Sequence, residues 1–311
     1  MPLPRLIPLD ARPHPLEDGS TGVALHDPLG VVTHVAVLSS AAWWVAARLD
    51  GRHSPEAVVE EARAQGMTLD RADVERLAER LGEAGFLHGP AHDALRARAS
   101  EAFRSLPSRP PACAGAVYPA DAGALRAALE GWAAAAPPRR GARRKPSLLV
   151  APHIDYPRGA RGYARAYAAL QESDADLFVV FGTAHETPAH LFTLTRRHYG
   201  TPLGPVATDR PAVDALVAEL GAAELLADER CHEREHSVEL QLVLLRHLVR
   251  RPFTALPVLC SSISHLEEPA RSTDRFLDAL ARAVRGRRVC FVAGADLAHV
   301  GPLYGDPRPP T

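Results

Sequence analysis

The chain has 311 residues and a formal net charge of −1. That length allows two domains, and the charge excludes the basic footprint of a nucleic-acid-binding domain. The sequence has no apolar run of about 18 residues, and its N-terminus lacks the apolar core of a secretory signal. Its four cysteines form no CxxC pair, which fits a reducing compartment. We therefore predict a cytoplasmic protein without nucleic-acid or membrane partners.

The N-terminal part, residues 20–92, predicts a small winged-helix-like module. Two apolar runs, GVALH and VAVLS, flank the turn sequence DPLG and indicate two short strands. Ser39 and Ser54 each stand directly before a helical pattern, where a side chain that caps a helix is expected. A third helix is predicted from Asp70, because apolar residues recur there at helical spacing.

The stretch LSSAAWWVAARLDGRHSPEAVV resembles the PqqD-like modules. Those modules bind leader peptides or partner proteins, so the resemblance implies recruitment of a partner by this part of the chain. Residues 93–112 begin as a helical pattern and end in the sequence RPPA, which predicts a proline-stiffened linker. The second predicted domain then covers residues 113–311.

In this second domain, four strand-like runs alternate with helical patterns. The runs are SLLVAPH, DLFVVFGTAH, TALPVLCSS and VCFVAGADLAH. Alternating strands and helices predict an α/β fold with a mostly parallel sheet flanked by helices. In open sheets of this kind, ligands bind outside the carboxyl ends of the strands.

Three of the four strand-like runs end in residues that can bind a metal. The first run ends in His153, the second in His185, and the last in Asp296 followed by His299. Two histidines and one carboxylate are the usual ligands of non-haem iron that activates oxygen. We therefore predict His153, His185 and Asp296 as metal ligands, although zinc or manganese would accept the same set.

A further histidine, His236, lies at the start of the predicted helix EREHSVELQLVLLRHL. It forms an i, i+3 pair with Glu239, which is typical of one shared helix face. The pattern fits a solvated helix start equally well. We assign His236 and His299 to catalysis, as groups that transfer a proton or orient the substrate. Cys260 and Ser262 follow the third strand, but neither lies in a nucleophile-elbow sequence.

Five sequence stretches together resemble the Memo family, in the family's order and over residues 113–305. They are GAVYPADAGALRAAL, APHIDYPRGARGYARAYAAL, FGTAH, EREHSVELQL and GADLAHVGP. In bacteria and archaea this family includes proteins called AmmeMemoRadiSam system protein B. That name implies association with an AMMECR-type protein and a radical-SAM protein.

The resemblance implies a fold similar to the class III extradiol dioxygenases. It also implies a metal-ligand histidine in each of the PH and GxxH motifs, which are His153 and His185 here. The EHS motif places His236 in the same cleft, and the final motif places Asp296 and His299 there.

Two departures from the family pattern matter for function. Family members often carry a cysteine in the last motif, as a candidate third metal ligand, where this chain has Ala298. Family chains also usually continue beyond this motif, so we expect a domain that is short at its C-terminus. A divalent metal remains the expected cofactor, with iron first and copper or zinc as alternatives.

Two functions are therefore expected. The first is a metal-dependent, dioxygenase-like oxidoreductase that acts on a small molecule or a peptide. The second is a non-catalytic protein that binds a peptide or phosphorylated ligand and works with the AMMECR-type and radical-SAM partners. Loss of the cysteine favours binding, and the retained histidines favour chemistry.

Overall fold

The structure is a computed structural model, and its described part divides into two compact units, Met1–Ala102 and Phe103–Thr311. No helix in that part is both long and apolar enough to cross a membrane. The described residues are 1–134, 145–168, 170, 173–186, 188–265, 268–296, 299–302, 305 and 307.

The first unit contains a three-stranded antiparallel sheet in the order β1-β2-β3. Its elements are β1 (Asp10–Pro15), β2 (Thr21–His26), β3 (Ala36–Leu38), α1 (Ser40–Ala46), α2 (Pro55–Ala64) and α3 (Arg71–Glu83). The two predicted strands and three predicted helices are therefore present. Strand β1 was not predicted, because all six of its residues are exposed and give no apolar alternation.

The helix starts of this unit follow the predicted capping residues. The Ser39 side chain accepts a hydrogen bond from the backbone of α1, and the Ser54 side chain accepts one from the backbone of α2. Asp70 and Asp73 form a reciprocal capping box at the start of α3. Each cap satisfies backbone N–H groups that have no partner within the helix.

The segment predicted as a linker, residues 93–112, is largely structured. Helix α4 (Pro90–Ser105) covers its first part, and strand β4 (Ser108–Arg109) follows. The Arg109 side chain is completely buried in the second unit. Its side-chain contacts, described below, tie the end of this segment to the core of that unit.

The second unit is built around a five-stranded sheet in the order β5-β10-β6-β9-β7. Strands β5, β10, β6 and β9 are parallel, and β7 is antiparallel to β9. The four parallel strands are the four predicted runs. The strands are β5 (Leu148–Ala151), β6 (Leu177–Thr183), β7 (Phe192–Leu194), β8 (His198–Tyr199, paired with β4), β9 (Thr254–Cys260) and β10 (Val289–Gly294).

Helices pack on both faces of this sheet, as expected for parallel strands. One apolar cluster joins β5, β6, β9 and β10 to α5, α6 and α9, and a second joins β6 and β9 to α7 and α10. The helices of the unit are α5 (Ala122–Ala134), α6 (Tyr156–Tyr167), α7 (Arg210–Leu220), α8 (Ala222–Leu225), α9 (His236–Leu248) and α10 (Pro269–Ala283), with 3₁₀ turns at Glu229–His232 and Ile263–His265. The mixed α/β fold with a parallel-rich sheet is thus confirmed.

The carboxyl ends of three strands meet at one point of the sheet edge. Gly294 of β10 pairs with Ala151 of β5 on one side and with Gly182 of β6 on the other. A Cβ atom at Gly182 would lie 2.5 Å from the Ser237 side chain, and one at Gly294 would lie 2.8 Å from the Ser237 carbonyl. Glycine at both strand ends therefore lets the start of α9 approach the sheet closely.

Candidate metal centre

Three histidines from three separate elements converge above these strand ends. The ring centroids of His153 and His185 are 5.2 Å apart, those of His153 and His236 are 5.5 Å apart, and those of His185 and His236 are 4.6 Å apart. One nitrogen of each ring lies within 4.8 Å of the corresponding nitrogens of the other two. This histidine cluster is the candidate metal centre.

His153 is fixed by the loop that follows β5 and by the end of β10. Its ring Nδ1 donates to the Gly294 carbonyl oxygen at 2.9 Å, and its backbone N–H donates to Asp296 Oδ1 at 2.9 Å. Because Nδ1 is occupied, Nε2 is the ring atom that can bind a metal. The ring is almost completely buried, with a side-chain exposure of 6%.

Glu235, directly before α9, orients the other two histidines. Its carboxylate accepts from the ring Nδ1 of His185 at 3.0 Å and from the backbone N–H of His185 and Ser237 at 2.9 Å each. His236 Nδ1 lies 3.3 Å from the same carboxylate. Because Glu235 occupies Nδ1 of His185, Nε2 is the atom of that ring that can bind a metal.

The charges in this group are strongly coupled. Burial opposes ionisation of Glu235, but the hydrogen bonds from His185 and Ser237 outweigh it and lower the pKa of Glu235 to about 2. The bond to Glu235 raises the pKa of His185. Burial lowers the pKa of His236, which favours its neutral form. A buried carboxylate that accepts from a ring Nδ1, as Glu235 does from His185, is a usual arrangement around a histidine-bound metal.

The donor set fits a divalent transition metal. Imidazole nitrogens suit zinc, copper and iron, at bond lengths of about 2.0–2.1 Å for zinc. The separation of the ligand atoms, within 4.8 Å, allows all three to reach one ion after small side-chain adjustments. The cluster could therefore hold a metal ion, and the donor set alone does not select which one.

The other two predicted site residues lie beside the cluster. Asp296 Oδ2 is 3.7 Å from His153 Nε2, and His299 Nε2 is also 3.7 Å from Asp296 Oδ2. Among the described residues, the group that could hold a metal ion therefore consists of His153, His185 and His236. The sequence predicted Asp296, rather than His236, as the third ligand. Ala298 lies outside the described residues.

Glu239 has a different partner from the one that its spacing suggested. Instead of sharing a solvated face with His236, it is completely buried and forms an ion pair with Arg109 at 2.6 Å. It also accepts from the Cys113 backbone N–H at 3.0 Å and from the Tyr118 hydroxyl. The sequence did not predict this buried ion pair, because Arg109 and Glu239 are 130 positions apart and no local pattern links them.

Arg109 also connects this buried pair to the residues that precede α9. Its guanidinium donates to the carbonyl oxygens of His232, at 2.7 Å, and Glu235, at 3.1 Å. The backbone of Glu235, whose side chain orients His185 and His236, is thus held by a fully buried cation. We name Arg109, Glu239 and Tyr118 the buried ion cluster.

The hydrogen bonds and burial of His232 predict that the stability of the protein depends on pH. The ring is completely buried; Nε2 donates to the Thr193 carbonyl oxygen at 3.0 Å, and Nδ1 accepts from the Tyr199 hydroxyl at 2.7 Å. Burial lowers the pKa of His232 to about 3. In the unfolded state the His232 ring takes up a proton near the ordinary histidine pKa of about 6.5. The contribution of the neutral, buried ring to stability is therefore complete above that pH and is lost as the pH falls.

We therefore expect protonation of His232 to lower the free energy of unfolding by about 1 kcal/mol for each unit that the pH falls between roughly pH 6.5 and 3. Urea unfolding at several pH values in that window measures the slope for the parent, for His232→Gln and for the matched control His190→Gln. The slope should be shallower in His232→Gln alone. An equal slope in all three proteins would show that His232 does not titrate on unfolding.

A variant of Glu235 tests whether the carboxylate that accepts from His185 contributes to metal binding. Glu235→Gln keeps the size of the side chain but removes the anion that accepts from His185, so metal affinity should fall about 10–100-fold. Competition with a chromogenic chelator measures that affinity. Glu233→Gln, at a half-buried position two residues earlier, is the control and should bind as the parent does. Unchanged affinity in Glu235→Gln would remove Glu235 from the centre.

All four cysteines are in the described residues, and none belongs to the metal-ligand group. Cys113, Cys231 and Cys290 are buried, and Cys260 is half-buried. Burial raises the pKa of Cys113 and Cys260 to about 12 and that of Cys290 to about 11. The thiols of Cys113, Cys260 and Cys290 are therefore protonated near neutral pH.

Fold and site together define an α/β protein with a histidine cluster that could hold a metal at the carboxyl edge of a parallel sheet. Residues 109–309 match the model of the family described as Memo-like protein. A MEMO1 family protein of Thermus thermophilus is 31% identical over 261 residues, which cover 83% of this chain and 74% of that protein. The chain belongs to the Memo-like protein family.

Two archaeal relatives match a shorter region. The MEMO1 family protein of Methanosarcina mazei is 30% identical over 150 residues, which cover 48% of this chain and 53% of that protein. That of Methanococcoides burtonii is 32% identical over 155 residues, which cover 49% and 54%. The chain therefore spans about half the length of these two relatives.

Proposed function

We propose that this protein is a metal-dependent, dioxygenase-like oxidoreductase that acts on a small molecule or a peptide. The observation that carries the proposal is the convergence of His153, His185 and His236 from three elements, with Nδ1 of His153 and of His185 each bonded to an acceptor. Core histidines seldom share such an arrangement, because three neighbouring imidazoles that all present Nε2 gain nothing from packing alone.

In this proposal the three Nε2 atoms hold a divalent ion, with iron preferred and copper or zinc as alternatives. When bound, iron with open coordination positions would supply oxygen activation. Glu235 fixes the ring orientations and balances the charge. The similarity to class III extradiol dioxygenases implied by the sequence motifs is part of the same proposal.

Asp296 and His299 are proposed to hold and transfer protons beside the metal centre. Asp296 Oδ2 is equally close, at 3.7 Å, to His153 Nε2 and His299 Nε2. His299 is half exposed, so it can exchange protons with solvent, whereas Asp296 is mostly buried. Asp296 also lines a groove of about 640 Å³ whose other lining residues are mainly apolar, such as Val150 and Ile154. That volume suits a small-molecule or peptide side-chain ligand.

The first experiment is metal analysis of protein purified without chelator and without nickel affinity resin, followed by oxygen-consumption assays. We expect close to one equivalent of a divalent metal and oxygen uptake with one of a panel of catechols and aromatic peptides. His190→Ala, a half-buried histidine outside the cluster, is the matched control. Absence of metal after reconstitution with iron, copper or zinc would contradict the proposal.

A second candidate function is a non-catalytic protein that binds a peptide or phosphorylated ligand in the same cleft. Ala298 favours it, because the cysteine often present there in the family is replaced. In this version the protein works with AMMECR-type and radical-SAM partners, as an AmmeMemoRadiSam system protein B. Saturable ligand binding without oxygen uptake by the metal-loaded protein would favour this function over the first.

Residues 20–92 are proposed to act as a winged-helix, PqqD-like module that recruits a partner. The order of short strands followed by three helices supports this proposal. Residues 93–112 are proposed to connect this module to the Memo-like domain at 113–311. Limited proteolysis tests the division: cleavage should fall in the connecting residues and release a soluble C-terminal fragment, and an insoluble fragment would contradict it.

A further inference from the structure

A second polar cleft lies in the same unit as the metal centre but shares no residue with it. Arg104 comes from the last turn of α4, Arg196 and Arg197 from the connection between β7 and β8, and Glu229 from a 3₁₀ turn. The cleft has a volume of about 430 Å³, and its remaining lining is small or apolar, such as Ala223. We name it the arginine cleft.

The arginine cleft carries an excess of positive charge. Three arginines and one carboxylate, that of the almost completely buried Glu229, line it. Asp214 forms an ion pair with Arg196 at 2.7 Å from outside the lining. Even with both carboxylates included, one positive charge is left uncompensated. Like charges gathered in one small cleft repel each other, and an anion bound among them relieves that repulsion.

With Arg196 paired to Asp214, two guanidinium groups remain, and Glu229 does not form close hydrogen bonds with either of them. Arg104 Nε and Arg197 Nε each lie 3.9 Å from its carboxylate, beyond hydrogen-bonding distance. The carboxylate oxygen Oε1 instead accepts from the Thr195 hydroxyl at 2.8 Å and from the Arg196 backbone N–H at 2.7 Å. The donor capacity of Arg104 and Arg197 is therefore only partly used by Glu229.

A buried donor provides an independent observation at the same place. Arg197 Nε is buried and has no hydrogen-bond partner in the part of the chain that the structure describes, which is rare for a charged group in a folded protein. Its Nη1 donates to the carbonyl oxygens of Arg104 and, at 2.8 Å, Leu106, so the side chain is held in the cleft. The hydrogen bonds of the Arg104 side chain to the Leu226 and Ala227 carbonyls are long, at 3.5 Å and 3.4 Å.

From these contacts we infer that the arginine cleft is an anion-binding site for the phosphate group of a small phosphorylated molecule. Arginine binds phosphate in a planar, bidentate manner, and the Arg104 guanidinium, whose hydrogen bonds are long, can do so beside the positive charge of Arg197. The volume of the cleft lies in the range of small-ligand sites and leaves room beyond the phosphate. The site is independent of the proposed metal chemistry, so failure of either proposal leaves the other intact.

The test is isothermal titration of the full-length protein with inorganic phosphate, at constant ionic strength maintained with chloride. We expect saturable binding with a Kd below about 1 mM. Arg104→Gln, at a 42% exposed side chain, should weaken binding at least about tenfold, and Arg104→Lys should lie between the two. The control Arg282→Gln removes an exposed guanidinium that pairs with Glu219 and should bind as the parent does.

Free phosphoserine and a phosphoserine pentapeptide then distinguish the source of the phosphate. Tighter binding of free phosphoserine supports a small molecule, whereas much tighter binding of the peptide would overturn that part of the inference in favour of a phosphorylated protein segment. Absence of saturable phosphate binding, or equal affinity in the parent and Arg104→Gln, would overturn the site itself. Thermal unfolding of each variant without phosphate shows whether a loss of binding reflects misfolding.

Discussion

Replacement of His153 with alanine is expected to abolish stable metal binding. His153 is the most buried member of the histidine cluster, and Asp296 Oδ2 lies 3.7 Å from its Nε2 atom. Loss of a direct ligand should reduce affinity by more than the roughly 10–100-fold typical of an outer-shell partner. His185→Ala should have the same effect. Metal content after dialysis, measured by mass spectrometry, checks both variants against His190→Ala.

Two further variants decide which residue completes the ligand set. If the cluster binds the ion with three imidazoles, His236→Ala should lose metal and Asp296→Ala should retain most of it. The ligand set predicted from the sequence gives the reverse, since it assigns His236 to proton transfer. Full metal content in His153→Ala or His185→Ala would contradict both versions of the centre.

The second large effect is expected in the buried ion cluster. Arg109→Met leaves the Glu239 carboxylate completely buried without its cation. Removal of one partner from such a pair typically destabilises a protein by about 3–5 kcal/mol. Urea unfolding should show this loss, and the double variant Arg109→Met/Glu239→Leu should recover part of it, because no unpaired charge then remains in the core.

Arg282→Met is the control for this measurement. Its guanidinium pairs with Glu219 at the surface, where ion pairs contribute little to stability, so the unfolding midpoint should hardly change. If Arg109→Met were as stable as this control, the buried pair would not contribute to folding. The same variant should also weaken metal binding, since Arg109 holds the Glu235 carbonyl oxygen at 3.1 Å.

The site residues that come directly after strands could be predicted from the sequence. Apolar runs that stop at His153, His185 and Asp296 give both the strand and the point where it ends. Parallel strands in register then bring those ends together without any knowledge of side-chain packing. The helical start at His236 was also predicted, although the short distance from α9 to the sheet depends on Gly182 and Gly294.

The supporting residues could not be predicted, for a physical reason. A glutamate near a helix start, such as Glu235 or Glu239, reads as a solvated acid that interacts with the helix dipole. Burial of either carboxylate becomes favourable only through a partner from a distant part of the chain, His185 or Arg109. No local pattern encodes that pairing.

The protonated, buried thiols have a consequence for spectroscopy. Because no sulfur belongs to the candidate group in the described part of the chain, a cobalt(II) ion bound there should lack the intense ligand-to-metal charge-transfer absorption that thiolates produce. Alkylating reagents should likewise leave cobalt uptake by the folded protein unchanged, because Cys113, Cys231 and Cys290 are buried and the half-buried Cys260 does not belong to the candidate group. The colour of the cobalt protein would therefore report the nitrogen and oxygen donors alone and separate this centre from relatives with a cysteine in the last motif.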